Sequence, residues 1–246
     1  MQQDIYDKTC ELENRYWWYL GRRHIFDNLL SRFFPGSPDK KIVDIGCGTG
    51  GVIPMLSKHG QVLGLDIEPR ALDFCRSKGF HNVALMENFY DTGQPDESAD
   101  LVSLFDVLEH FEDDLKALNE INRILKSGGF VFLSVPAFKI LWSELDEVAH
   151  HRRRYKQEEL EQKLKDSGFA IVKSSYVFFF VFPLIFFYRT VARFQKKHLH
   201  PQFSYVEFPR LINAFFVTLS KIEAVLLKFI NFPFGSSVVV LARKIK

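Results

Sequence analysis

The sequence predicts an α/β protein: a doubly wound, mostly parallel seven-stranded sheet, helices on both faces, and a helical insertion before the last strand. Three observations carry this. From residue 41 onward, short apolar runs of strand length alternate with helical patterns. The first run empties into a glycine-rich turn, VDIGCGTGG, that opens a helix. The alternation breaks late, in a long apolar and basic segment, and SSVVVLARKI then supplies a final strand.

Taken in order, residues 22–34 (RRHIFDNLLSRFF) place Ile25, Phe26, Leu29, Leu30, Phe33 and Phe34 at helical spacing, and PGSPD stops them. KIVDIG is a short buried strand and VIPMLSKH the helix after it. QVLGLDI is strand, ALDFCRSK helix, and NVALM strand. ADLVSLFDV is a fourth strand, followed by a helix with Leu115, Leu118, Ile121 and Leu125, which SGG ends. FVFLSVP is the fifth strand, QEELEQKLKDSGF a helix and AIVKSSYVFF the sixth strand. In the interruption, a helix over about 209–230 carries Leu211, Ile212, Phe215, Leu219, Ile222, Leu226 and Phe229 on one stripe. The expected organisation is one domain over 1–246. It has a helical lid region at 1–40, a core at 41–181 and 235–246, and an insertion at 182–234 that caps the substrate or meets a membrane. A separate small carboxy-terminal domain is the alternative.

Composition narrows the function classes. A formal net charge of +2 opposes whole-protein binding to nucleic acid, so any basic site is local. The three cysteines, Cys10, Cys47 and Cys75, have neither metal-ligand nor disulfide spacing, which points to a reducing cytoplasm. The polar, acidic start MQQDIYDKTCELENRY is not patterned as a signal peptide. The chain holds 26 phenylalanines, several of them in VFFFVFPLIFFY (Val177 to Tyr188). That run falls short of the roughly twenty residues a bilayer span needs, and Pro183 interrupts it; an interfacial placement stays open.

The glycine turn fits two chemistries. Gly46, Gly48 and Gly51 satisfy a dinucleotide pattern, while Gly46, Gly48 and Gly50 satisfy G-x-G-x-G, and Asp66 suits ribose hydroxyls in either. Asp44 weighs against a pyrophosphate, which it would repel, and favours a ligand ammonium group. VDIGCGTG, LDIEP, ESADLVSLFDVLEH and LKSGGFVFLSVP together resemble the class I S-adenosylmethionine-dependent methyltransferases, in the branch with a D-x-L-E-H signature, across about residues 41–176. The resemblance implies a Rossmann-like fold and S-adenosyl-L-methionine as cofactor, with S-adenosyl-L-homocysteine as product. It further implies that Asp44 and the backbone of Gly46, Cys47 and Gly48 hold the methionine part. Asp66 would take the ribose and Ile67 pack on the adenine. Asn88, followed by Phe89, stands where the family often has Asp, and Phe105 and Asp106 would close over the ligand. Glu109 and His110 are read as structural ties at a helix entry.

In RYWWYLGRRH, Tyr16, Trp17, Trp18 and Tyr19 either pack on the sheet or form a lid whose aromatic faces meet a sulfonium. Arg22 or Arg23 would pair the ligand carboxylate. AFKILWSELDEVAHHRRRY leaves the fifth strand at the carboxyl end of the sheet, the ligand-binding end of such folds. His150, His151 and Tyr155 are its catalytic candidates, a histidine serving as general base or as a substrate contact, against a plain surface-loop role. Arg152 to Arg154 either bind an anionic substrate group or anchor the loop to Asp146 and Glu147. No metal site is expected from the adjacent histidines. Residues 177–198 add a peripheral membrane contact, with Arg189, Arg193, Lys196, Lys197 and His198 facing anionic lipid, against simple core packing. The leading expectation is a cytoplasmic methyltransferase, placed by that contact at the inner face of a membrane. It would act at O, N or C of a small or amphiphilic acceptor: a lipid, a quinone precursor or a lipid-linked sugar. The alternatives are an NAD(P)-dependent oxidoreductase and a non-catalytic membrane or nucleic-acid binding module.

Overall fold

The computed structural model describes residues 3–34, 36–194 and 208–245. Two helices lead, α1 (Gln3–Leu12) and α2 (Trp17–Phe33), and the sheet begins with β1 (Lys41–Ile45). There follow α3 (Ile53–Leu56), β2 (Gln61–Asp66), α4 (Pro69–Ser77), β3 (Val83–Leu85) and β4 (Ala99–Phe105). A 3-10 turn at Leu108–His110 leads to α5 (Asp114–Ile124) and β5 (Leu125–Pro136), then α6 (Glu144–Val148), α7 (Gln157–Asp166) and β6 (Phe169–Val177). The late segment contributes α8 (Phe182–Phe194) and α9 (Arg210–Leu226) before β7 (Ser237–Lys244).

The seven strands stand in the order β3-β2-β1-β4-β5-β7-β6. β1 pairs parallel with β2 and β4, whereas β7 runs antiparallel between β5 and β6. This is the expected doubly wound sheet with its insertion before the last strand. Both faces are covered, so the central strands read as continuous apolar runs instead of alternating ones. Ile42, Leu101, Phe132 and Leu241 face one layer with α2 residues Ile25, Phe26, Leu29 and Leu30. Val43, Val102, Val131 and Val240 face the other, with Leu118 and Ile121 of α5 and Leu160 and Leu164 of α7. Phe26 stacks on Phe105 with ring centroids 4.2 Å apart, which ties α2 to the end of β4.

Three elements depart from the sequence reading. α1 lies inside the helical region expected at 1–40, but no apolar periodicity marks its bounds; Glu13, just past its end, accepts from the Thr49 hydroxyl at 2.6 Å and from Lys78, and Asp7 pairs Arg70. The helix after β4 ends at Ile124, since Leu125 already starts β5. Most clearly, α9 turns its apolar stripe outward. Its buried residues are Phe216, Ser220, Glu223 and Ala224, while Leu211 is 86% exposed and Phe229, just beyond its end, 79%. The crossing with α2 selects the small face: a Cβ on Gly21 would stand 2.5 Å from Ser220 Oγ, so the two backbones approach closely.

Candidate active site

One cavity of about 680 Å³ opens at the carboxyl ends of β1 and β4. Its lining comes from α1 (Tyr6, Thr9, Glu13), α2, the glycine turn, the β4 end, the loop after β5, and α8 and α9. Gly46 makes the turn possible: it sits at φ +70°, and a Cβ there would lie 2.5 Å from Val107 Cγ2.

Three N–H groups of the turn are already spent within the protein. Gly46 and Cys47 N–H donate to Leu65 O at 2.7 and 3.0 Å, and Gly48 N–H donates to Asp66 Oδ2 at 2.8 Å. The parallel neighbour β2 consumes them, and what the glycines supply is room. Cys47 lines the cavity as a thiol; its hydrogen bond with Cys75 and its burial push its ionisation up.

Asp44 is 1% exposed and lines the cavity. Its Oδ1 accepts from the Ser103 hydroxyl at 2.7 Å, but its Oδ2 is buried without a partner. Burial pushes this carboxyl up to about 7, against the Ser103 hydrogen bond and the charge of Arg22. Arg22 lines the same cavity. Its guanidinium lies 4.5 Å above the Trp18 ring and pairs with Asp106, while its Nε–H is buried without an acceptor. An acceptor and a donor are thus left open for a ligand carrying an ammonium and a carboxylate. Arg23 is committed elsewhere, to Asn14 Oδ1 and Gly51 O, both at 3.0 Å.

Phe105 and Asp106 both line the cavity, Asp106 at φ +58°. Tyr16 and Trp17 do so too, but Trp17 is only 6% exposed and packs on Phe178 and Phe216. Asp66, Ile67, Asn88 and Phe89 lie outside the enclosed cavity. Asp66 spends both oxygens, on Gly48 N–H and on Glu68 N–H at 3.0 Å, and burial pushes its carboxyl up. Tyr6 stands close enough for Asp66 and Glu68 to reinforce burial in pushing its phenol up. Ile67 is 45% exposed, Asn88 Oδ1 accepts from Tyr90 N–H at 2.8 Å, and Phe89 rests on Phe111 with centroids 4.4 Å apart.

The three catalytic candidates separate. His151 lines the cavity, with Nδ1 2.9 Å from Asp146 Oδ1. His150 is exposed at φ +60° and does not line it. Tyr155 is fully buried, its hydroxyl donating to Asp114 Oδ2 at 3.0 Å, and burial and the adjacent carboxylate hold it as a phenol. It is a core residue. The arginines anchor the loop: Arg154 grips Asp146 at 2.7 and 3.0 Å, and Arg153 pairs Asp114, with Glu147 in no ion pair among the described residues. Arg189 is drawn inward to Leu141 O and Asp146, away from any lipid surface. Lys196, Lys197 and His198 lie outside the described residues.

Of the two expected ties, His110 is one, its ring hydrogen-bonded to the backbone of His150 and Asp106, and Glu109 is not. Glu109 is 0% exposed with neither carboxylate oxygen hydrogen-bonded; burial and then Asp106 push its carboxyl well up. His110 is brought to His151, ring centroids 4.9 Å apart, and burial and then His151 bring it down to about 4, so its imidazole is neutral. Nothing in the local sequence announces that pairing. The motif's own polar residues beside a histidine-bearing loop were the one available hint.

The sheet order and the cavity at its switch point define the class I S-adenosylmethionine-dependent methyltransferase fold. More particularly, residues 43–133 match the family described as "Methyltransferase domain". A "Probable S-adenosylmethionine-dependent methyltransferase" of Mycobacterium tuberculosis is 29% identical over 166 residues, covering 66% of this chain and 58% of that protein. The ubiquinone biosynthesis O-methyltransferase of Aliivibrio fischeri is 31% identical over 101 residues, 39% of this chain and 43% of that one. The chain therefore spans little more than half the length of the first relative and less than half of the second. A Haloferax volcanii protein solved in complex with the Trm112 methyltransferase activator superposes with a TM-score of 0.65 at 18% identity, over 100% of both chains; that likeness is one of fold.

Proposed function

We propose that this chain transfers the methyl group of S-adenosylmethionine to oxygen, nitrogen or carbon of a small, amphiphilic acceptor. The observation that carries the reading is the matched pair of unmet groups in one cavity: the Asp44 Oδ2 acceptor and the Arg22 Nε–H donor. A free amino-acid head completes both, and a pyrophosphate completes only one while facing the Asp44 charge. When bound, S-adenosylmethionine supplies an electrophilic methyl on a sulfonium. Asp44 and Arg22 would hold its amino-acid head, and the Trp18 and Tyr19 faces line the same space. Asp66, Ile67, Asn88 and Phe89 would receive the adenosine end along the open carboxyl edge of β2 and β3. Asp106, fixed by Arg22 and by the Ser134 hydroxyl at 3.2 Å, holds α2 against the β4 end and so keeps water out.

The acceptor half of the cavity is roofed by Val181, Leu184, Ile185 and Tyr188 of α8 and Phe216 of α9, which suits an apolar body. His151 is the catalytic candidate that reaches this space. Among the described residues no helix is long and apolar enough to cross a membrane. The outward faces of α8 and α9 are nonetheless apolar: Phe187 is 67% exposed and Phe215 59%. We place the chain in the cytoplasm, resting peripherally on a membrane through these faces, where an amphiphilic acceptor could enter beneath the α8–α9 cap.

Calorimetry with S-adenosylhomocysteine and with NAD tests the reading. Binding of the former alone is expected; binding of NAD alone overturns it.

A further inference from the structure

Besides Asp44 and Arg22, the cavity is lined by a cluster that the methionine head does not use: Glu109 and His110 from the 3-10 turn after β4, and His151 from the loop after α6. One ligand atom from each lies within 4.8 Å of the other two. His151 Nε2 is 3.7 Å from Glu109 Oε1, already the spacing of two donors that each stand about 2.0–2.2 Å from one ion.

Glu109 is the independent sign of a ligand. Its carboxylate is fully buried, and neither oxygen has a hydrogen-bond partner. A buried carboxyl left without a hydrogen-bond partner is costly whether or not it is charged, and a cation that displaces its proton supplies the missing partner. The second sphere is also built. Asp146, 0% exposed, binds His151 Nδ1 at 2.9 Å, which leaves Nε2 as the ring nitrogen turned towards Glu109. Asp146 is itself held by Arg154 at 2.7 and 3.0 Å and by the Ser143 N–H at 2.8 Å. A carboxylate that orients the far nitrogen of a ligating histidine is the usual support of an imidazole–metal bond. Around the cluster Asp106 pairs with Arg22, and Asp146 with Arg154 and Arg189, so those guanidiniums are engaged by other carboxylates while Glu109 accepts no hydrogen bond from any of them.

We propose that Glu109, His110 and His151 form a site for one divalent transition-metal cation, open on its cavity side to an oxygen ligand of the methyl acceptor. Two imidazoles and one carboxylate favour zinc or iron(II) over magnesium or calcium, which prefer all-oxygen shells. The open positions face the space under α8 and α9, so the acceptor is a hydroxyl- or carboxylate-bearing molecule whose oxygen completes the sphere. That last clause rests on the methyl-transfer reading; the cation site itself does not.

The test titrates the untagged, chelator-treated full chain with Co2+ alone, followed by absorption, and then displaces it with Zn2+. One ion per chain is expected, with the visible bands of four- or five-coordinate cobalt and no thiolate charge-transfer band, since Cys47 and Cys75 are not ligands. Glu109→Gln and His151→Gln should each weaken binding by about 10-fold or more, and Asp146→Asn by about 10–100-fold. Circular dichroism checks that each variant is folded, and the titration of the unsubstituted chain is decisive even where a variant fails to fold. Absence of stoichiometric Co2+ and Zn2+ binding by that chain overturns the site, as does binding that folded Glu109→Gln and His151→Gln both retain. S-adenosylhomocysteine calorimetry on the same samples keeps the two ideas apart. Co2+ bound without it counts against the methyltransferase reading only, and the reverse against the metal site only.

Discussion

Asp44→Asn is expected to stabilise the ligand-free protein and weaken its hold on the cofactor, two effects of opposite sign from one carboxylate. Burial lifts this group from 3.8 to about 7. Three pKa units correspond to about 4 kcal/mol, the order of the cost of keeping it ionised in the fold. Because the folded value lies above the unfolded one, the penalty is absent below 3.8, grows as pH rises, and is complete above about 7. Asparagine retains an acceptor for the Ser103 hydroxyl, now at 2.7 Å from Oδ1, and carries no charge. Denaturant unfolding at pH 8 should therefore show the variant more stable, by up to about 4 kcal/mol, with the gap closing near pH 4. Binding moves the other way. Losing a charge-assisted hydrogen bond to the ligand ammonium costs about 1.5–3 kcal/mol, roughly 10- to 150-fold in Kd for S-adenosylhomocysteine. In the unsubstituted chain, binding near pH 6 should also release a proton, read as a buffer-dependent enthalpy that the variant lacks. An unchanged Kd, or a variant less stable than the parent at pH 8, would refute the reasoning.

Other substitutions separate structure from chemistry. Tyr155→Phe removes the buried hydrogen bond to Asp114, which keeps Arg153 and Lys163; stability should fall by about 1–2 kcal/mol while kcat and KM stay within about 2-fold, and a collapse of kcat would restore a catalytic tyrosine. Glu223, 1% exposed, accepts the Phe178 N–H and is pushed from 4.5 up to about 7 by burial. Its folded value is raised, so its penalty appears as pH climbs from 4.5 and is complete above about 7. Glu223→Gln should raise Tm at pH 8 and leave it unchanged at pH 4; the same shift at both would rule out titration as the cause. Phe215→Ser with Phe229→Ser should abolish co-flotation with anionic liposomes while moving stability by no more than about 1 kcal/mol, and flotation that survives removes these faces from the contact.

The sheet was legible because strands buried on both faces are written as unbroken apolar runs, and the glycine turn marks where the first of them ends. The same logic misled in α9. Its stripe of Leu211, Ile212, Phe215 and Ile222 reads as a core face, yet Gly21 and Ser220 allow α2 to pack closely on the small-residue side, leaving the stripe outside. The bounds of α1, within the helical region expected at 1–40, were unreadable for a related reason: it is fastened by Glu13 and Asp7 to Thr49, Lys78 and Arg70, partners that no periodicity reports. Of the cavity lining, Asp44, Phe105 and Asp106 were expected from motif order, and Arg22 only as one of a pair with Arg23. The convergence of His151 with Glu109 and His110 could not, since the turn after β4 and the loop after α6 meet only once β4 and β5 pair.

Where this chain leaves polar atoms unmet is itself informative. Its other buried acids are well supplied: Asp114 meets Tyr155, Arg153 and Lys163, Glu120 meets Thr92 and Arg123, and Glu13 meets Thr49 and Lys78. Among the described residues, seven buried side-chain atoms lack a partner, and five belong to residues lining one cavity: Trp17, Arg22, Asp44 and both oxygens of Glu109. A poorly packed protein would scatter such atoms through its core, each at a cost of about 1–3 kcal/mol. Confining them to one concave surface stores that cost where a ligand can relieve it. Asp44 and Glu109 ask for positive charge and Arg22 for an acceptor. An amino-acid head satisfies Asp44 and Arg22, and its single ammonium is then spent, which leaves the two Glu109 oxygens for the cation proposed above.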